Sequence, residues 1–375
     1  MRVFALLAVV YGFVSASCAG QGPTPVSVAA PVAPAPSASP PVAAPSASSM
    51  PSAADAPPRP RPSTISLGTG ELAAGDAACE RGDFVAAKQH YLAAPKGVAS
   101  DVGLARVRIA LVGLPLDYAA GQGNGEVVAA EKDLATAAAT SPPFGPAFVE
   151  LGRARLLLGD ATGAVVALRR GTELLPAEPE AHSQLGIALL ATGHAADSAT
   201  ELARACELDP GNAARHGNLG TALMMTGRTK DAVAEYEARV RLDDGDARAH
   251  SDLGTALLGL EERERALAEL ERAVAIDPRH ASYHSNLGFA LQQAGRFDQA
   301  TAEYRKAIAL DSTLASAWIN LATVLARDPK TLPEARAALL RANAVSPDDP
   351  RVKANLEELD ALQKSARSAD AGASH

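Results

Sequence analysis

Tyr283 to Leu291 reads YHSNLGFAL, and the same frame returns upstream three times. It is AHSDLGTAL at Ala249 to Leu257, RHGNLGTAL at Arg215 to Leu223, and AHSQLGIAL at Ala181 to Leu189. The step is 34 residues each time. Leu-Gly marks the register at Leu151-Gly152, Leu185-Gly186, Leu219-Gly220, Leu253-Gly254 and Leu287-Gly288, and Leu321-Ala322 continues it. A fixed period of this length signals stacked supersecondary units, each unable to bury its apolar face alone.

Other positions keep the same phase. Thirteen residues after each Leu stands a small residue: Ala164, Ser198, Ala232, Ala266 and Ala300. Seventeen after stands a bulky one: Leu168, Leu202, Tyr236, Leu270 and Tyr304. Pro176, Pro210 and Pro278 stop the second helix; Gly159, Gly193, Gly227 and Gly295 mark the turn between helices. On these positions the chain closely resembles the tetratricopeptide repeat family, whose unit is a helix-turn-helix. The resemblance implies an all-α, right-handed superhelical solenoid. Six units cover 145–349, the last with one extra residue in "ARDPKTLPEA". Weaker units fit 66–144, where Gly75, Phe84, Ala87 and Tyr91 take the turn and packing positions. That gives about eight units. A cap helix is expected over 350–365, then a disordered tail over 366–375.

His182, His216, His250 and His284 share one place in the repeat. His284, Leu287, Gly288 and Leu291 have i, i+3, i+4, i+7 spacing, so the histidine lies on the helix's apolar stripe. Phe148 and Trp318 fill that place in the flanking repeats. The position reads as a slot for a ring. Parallel copies on helices roughly 10 Å apart do not converge on one ion with bonds near 2 Å. His280 and His284, at i and i+4, are the one pair with converging spacing. No metal and no cofactor are expected.

The chain carries a net charge of −8, and its aromatic content is 4%. Phosphate neutralisation needs clustered Lys and Arg, and no basic run is present, so nucleic acid is not an expected partner. Residues 1–17, MRVFALLAVVYGFVSAS, place Arg2 before an apolar run too short to span a bilayer. This resembles a secretory signal peptide. "SASC" resembles the lipobox of bacterial lipoproteins, although Ser15 stands where that pattern prefers an apolar residue. The resemblance implies lipid on Cys18. With no Asp following, it also implies an outer-membrane lipoprotein facing the periplasm; the alternative is a soluble secreted product. Residues 18–65 are an Ala/Pro/Ser-rich tether with a reach on the order of 100 Å. Cys79 and Cys206 are too distant along a solenoid to pair and are expected as free, buried thiols. The glycines of Leu114 to Gly125 suggest a flexible insertion.

No phosphate loop, nucleophile elbow or His-Glu metal motif appears. The carboxylate pairs Glu261-Glu262 and Asp348-Asp349 fall in turns. A non-catalytic chain is expected, with protein or peptide partners and contact to a membrane only through the lipid. Position six of the unit holds Gln184, Asn218, Asp252, Asn286 and Asn320. This resembles the asparagine ladder of the tetratricopeptide arm in O-linked N-acetylglucosamine transferases. An amide offers both donor and acceptor, so spaced amides suit an extended peptide backbone. Thr221, Thr255 and Thr323 add hydroxyls. The carboxylate clamp of the family needs Asn at position nine, which is Ile187, Thr221, Thr255, Phe289 and Thr323 here. The plan also resembles that of pilotin lipoproteins, an assembly role that needs no ladder.

Overall fold

The computed structural model describes residues 65–114 and 118–373. The signal peptide, Cys18 and the tether lie outside the described residues. The described residues form seventeen α-helices and one 3₁₀ turn, with no strand among them. They fall into two compact units, 65–276 and 277–373.

The N-terminal unit consists of six helical hairpins: α1 (Glu71–Glu80) with α2 (Phe84–Ala93), α3 (Val98–Val112) with α4 (Gly125–Ala138), α5 (Gly145–Leu157) with α6 (Ala161–Leu174), α7 (Pro179–Ala191) with α8 (Ala195–Leu208), α9 (Ala213–Met225) with α10 (Thr229–Leu242), and α11 (Ala247–Gly259) with α12 (Arg263–Ile276). Each hairpin packs on the next along α1 to α12, as repeat architecture demands. The C-terminal unit has two hairpins, α13 (Ala281–Gln293) with α14 (Phe297–Leu310) and α15 (Ala315–Leu325) with α16 (Leu332–Val345), followed by α17 (Pro350–Ala373). Among the described residues no helix is long and apolar enough to cross a membrane.

The small residue that recurs on the first helix explains the close crossing within a hairpin. A Cβ built on Gly152 would lie 2.3 Å from Leu168 Cγ, and one on Gly186 would lie 2.5 Å from Leu202 Cγ. Leu168 and Leu202 are fully buried. The bulky residue of the second helix therefore fills the volume the glycine leaves empty. From α5/α6 to α13/α14 the turn residue is left-handed, with φ of 83° at Gly159 and 80° at Gly193. Glu261 occupies the same place at φ 62°, the one repeat where a side chain takes that conformation.

Two expectations need correction. The insertion expected to be flexible over 114–125 is tied down over its described part, 118–125. Ala119 N donates to Leu156 O at 2.9 Å and Gly121 N to Leu157 O at 2.7 Å, while Tyr118 Oη donates to Gly159 O. Leu157 O, at the end of α5, thereby gains a partner, while Leu156 O also accepts from Gly159 N. The tail expected to be disordered from 366 continues α17 to Ala373. The stretch after Ser365 is rich in alanine and contains no proline, so nothing in it stops a helix. Cys79 and Cys206 are free and buried.

One buried polar node fixes the start of the solenoid. Arg106 is 2% exposed; its Nε donates to Glu150 Oε1 at 2.8 Å, Nη1 to Asp76 Oδ1 at 3.1 Å and Nη2 to Ile65 O at 3.0 Å. Asp76 also accepts from Leu67 N and Tyr91 Oη. Glu150 accepts a further bond from Arg153. Hairpins α1/α2 and α3/α4, helix α5 and the segment at Ile65 to Leu67 all meet on this guanidinium.

Candidate interaction face and the histidine–glutamate rungs

The four histidines sit in equivalent surroundings. His182 Nδ1 lies 2.7 Å from Glu201 Oε2, His216 Nδ1 2.7 Å from Glu235, His250 Nδ1 2.7 Å from Glu269, and His284 Nδ1 2.6 Å from Glu303. Each Nε2 faces the carbonyl oxygen six residues earlier, at Pro176, Pro210, Asp244 and Pro278. Each ring thus lies between two acceptors. A carbonyl oxygen only accepts, so Nε2 carries hydrogen, and the contact between Nδ1 and the carboxylate needs one further proton between its two atoms. The first helix of a hairpin is thereby pinned to its second helix and to the turn before it. The ring slot read from the sequence is also an ion-pair slot.

The repeats test this pairing internally. Trp318 Nε1 donates to Ser312 O at 3.0 Å, the same six-residue contact, but an indole has no second nitrogen. The matching second-helix position there is Ala338, and opposite Phe148 it is Ala167. In the first hairpin the pair is exchanged: Glu71 stands in the ring position and His90 opposite, with Nδ1 to Oε2 at 2.8 Å. The partner position 19 residues on was present in the sequence as a second periodic series, Glu201, Glu235, Glu269 and Glu303, which reading the first helices alone passed over. His280 does not converge with His284: its ring stacks on Tyr283 with centroids 3.9 Å apart, and both His284 nitrogens are taken.

A stability prediction follows from two of these groups, His182 and Glu303. The hydrogen bond to Glu201 raises the His182 pKa above 6.5, against burial and Arg204. His182 therefore stabilises the fold fully below that unfolded-chain value, and the contribution is lost as pH rises through the raised folded value. Burial pushes the Glu303 carboxyl up, but bonds from Lys306 and His284 outweigh it, and the net shift is below 4.5. Its contribution is present above that value and is lost as pH falls through the lowered one. The unfolding midpoint is expected to fall on both sides of about pH 5–6.5. Glu201→Ala should cost about 1.5–3 kcal/mol, towards the lower end because the pair is partly solvated. Adding His182→Phe, which copies the Phe148/Ala167 combination, should recover most of that and flatten the alkaline slope in a thermal scan across pH. An unchanged alkaline slope would show that the pair does not titrate with folding.

The amide positions of the first helices fare unequally. Asn218 on α9 is half-buried and makes no hydrogen bond among the described residues, so its donor and acceptor stay open. Gln184 on α7 is half-buried and donates to Glu180 Oε1 at 2.8 Å. Asp252 on α11 is held by Arg239 Nη1 at 2.8 Å, and Arg239 also pairs with Asp246. Arg239 stands where the other repeats carry Gly171, Ala205, Ala273 and Ala307, and its side chain occupies the space over Gly217. The acid at 252 is thus matched to an arginine peculiar to the preceding repeat, a structural pair rather than an open rung.

In the C-terminal unit Asn286 is half-buried, while Asn320 is 1% exposed on α15, the helix that packs on α17. Burial takes Asn320 off the open face. Thr221, Thr255 and Thr323 each donate to the carbonyl four residues earlier, at Gly217, Ser251 and Ile319, leaving only acceptor capacity outward. In the N-terminal unit the open part of the series therefore narrows to Gln184 and Asn218 on consecutive first helices. A separate concavity of about 630 Å³ is lined by Leu92, Leu104, Leu111 and Arg108 among others.

Comparison with known proteins agrees with this architecture. The model of the tetratricopeptide repeat family matches residues 251–315 and 286–350. A model of the bacterial transcriptional activator domain matches 153–242, a stretch that here consists of the same hairpins. No curated protein matches the chain. Among solved structures, the APC/C hetero-tetramer Cut9–Hcn1 superposes with a TM-score of 0.57 at 16% identity, over 77% of this chain and 55% of that one. MamA from Desulfovibrio magneticus RS-1 is 26% identical with a TM-score of 0.43, over 45% of this chain and 96% of that one. PilF of Pseudomonas aeruginosa is 19% identical with a TM-score of 0.49, over 57% of this chain and 97% of that one. The 34-residue signature, the stacked hairpins it encodes and the family match together identify the chain as a tetratricopeptide repeat protein.

Proposed function

We propose that this chain is a non-catalytic scaffold that binds an extended peptide segment of a partner protein across the first helices of its N-terminal unit. The observation that carries this is Asn218. Among the described residues its amide makes no hydrogen bond, and it lies on a helix face one repeat away from a second amide, Gln184. A primary amide pairs with a peptide N–H and C=O together, whatever the side chain, and consecutive hairpins present such groups in register. The rigid rungs behind that face fix the spacing, which limits the ordering cost of binding. Export and a lipid on Cys18 would place the face at the cell envelope.

The test is affinity capture from the membrane fraction with the chain as bait, beside Gln184→Ala/Asn218→Ala and beside Thr200→Ala on the second helix α8. A partner retained by the parent and by Thr200→Ala, and reduced at least tenfold in the amide variant, is the expected result. Equal capture by all three would remove these helices from the interface. Cys18→Ser should move bait and partner to the soluble fraction; persistence in the membrane would count against the anchor.

A further inference from the structure

The rung at His216 differs from the others in one respect: a thiol faces it. Cys206 on α8, His216 on α9 and Glu235 on α10 bring a sulfur, an imidazole nitrogen and a carboxylate oxygen within 4.8 Å of one another. The equivalents of Cys206 in the other repeats are Thr172, Val240, Val274 and Ile308, so no other rung has a third donor of this kind. We propose that Cys206, His216 and Glu235 form a binding site for a single thiophilic divalent cation of the Zn(II) class.

The chemistry of the donors supports it. Pro210 O lies 3.1 Å from His216 Nε2 and holds a proton there. That leaves Nδ1, which points at Glu235 Oε2 from 2.7 Å, as the nitrogen for a metal. A backbone carbonyl on the far ring nitrogen is the usual support for a ligating histidine. Thiolate, neutral imidazole and carboxylate together neutralise a dication, and the mix of soft and borderline donors suits Zn(II) over Mg(II) or Ca(II). Ligands of a tetrahedral ion stand roughly 3.3–3.8 Å apart, so side-chain rotation has to open the 2.7 Å contact between His216 and Glu235 and bring the sulfur, now within 4.8 Å of both, up to the same spacing. Glu235 keeps 27% of its side chain exposed, which leaves water a route to the fourth position.

Binding must expel protons. Burial, followed by the Glu235 charge, pushes the Cys206 thiol up to about 12, so the free thiol holds its proton at neutral pH. On binding, that proton and the one shared by His216 and Glu235 leave to solvent, and no electron is transferred. The His–Glu contact is then replaced by two bonds to one ion, so the hairpin α9/α10 remains tied to α8.

The experiment is a Co(II) titration of the untagged chain, followed by displacement with Zn(II). One equivalent of Co(II) with a thiolate-to-cobalt charge-transfer band, bleached by Zn(II), is the expected result. Cys206→Val should abolish the band; valine stands at the equivalent positions 240 and 274, so this variant keeps the fold, which circular dichroism verifies. Val240→Cys places a thiol beside the His250–Glu269 rung and should raise the stoichiometry from one to two. The absence of a band in the parent, a band that survives Cys206→Val, or a stoichiometry still at one in Val240→Cys overturns the site.

Discussion

Arg106→Met is expected to destabilise the N-terminal unit by about 3–5 kcal/mol, more than any surface substitution on it. The guanidinium donates to three acceptors on separate parts of the chain, Glu150, Asp76 and the carbonyl of Ile65. Methionine fills much of the volume but leaves two carboxylates in a site where Glu150 is 1% exposed. Among the described residues Glu150 keeps its bond from Arg153, but Asp76 loses its counter-charge; a buried charge left without its partner costs far more than the pair was worth, which is why deleting Arg106 is the severe change. Arg108 is the control. Its pairs with Glu126 and Asp133 are exposed, and Arg108→Ala should cost no more than about 1 kcal/mol. Urea denaturation compares the two, and limited proteolysis should show new cleavage near Ile65 in Arg106→Met, because Ile65 O has lost its bond from the guanidinium. Equal midpoints for the two variants would mean that the node does not hold the first hairpins.

The second large effect concerns the hairpin crossing. Gly152→Val gains helix propensity of less than about 1 kcal/mol, since glycine is a poor helix former. Against that, its Cβ alone would come 2.3 Å from Leu168 Cγ, deep in the core. Overpacking costs about 1–3 kcal/mol and wins. Leu168→Ala alone opens a cavity where Leu168 is fully buried and should cost about 2–5 kcal/mol. The double variant places the valine in that cavity. Its cost should fall below the sum of the single costs by about 0.5–3 kcal/mol. A denaturant-based double-mutant cycle reads this directly, and strict additivity would show that the glycine is not there for Leu168.

Much of the architecture was legible because repetition is itself evidence. One Leu-Gly frame is weak; five in phase, with Leu321-Ala322 as a sixth, set the helices and the turns, while the fit of Leu168 over Gly152 was read only from the structure. The ring slot was legible for the same reason, from Phe148 and Trp318 beside the four histidines. Its electrostatic content was not read, because the partner lies on another helix, 19 residues away, where no local spacing rule applies. The Arg106 node was illegible for a deeper reason. It occurs once, in the degenerate repeats, and joins residues 30 to 44 positions apart without any period. The amide series shows the converse limit. Position six is regular in sequence, yet Asp252 is occupied by Arg239 and Asn320 is buried, since side chains outside the repeat pattern decide what stays open.

The central claim is that partners bind on the first helices. A photo-cross-linking amino acid placed in turn at Gln184 and Asn218, and for comparison at Val166 and Thr200 on second helices, tests it in the cell. The account predicts adducts with a common partner from positions 184 and 218 and none with that partner from 166 or 200. Adducts with that partner from 166 or 200, or their absence from 184 and 218, would contradict it.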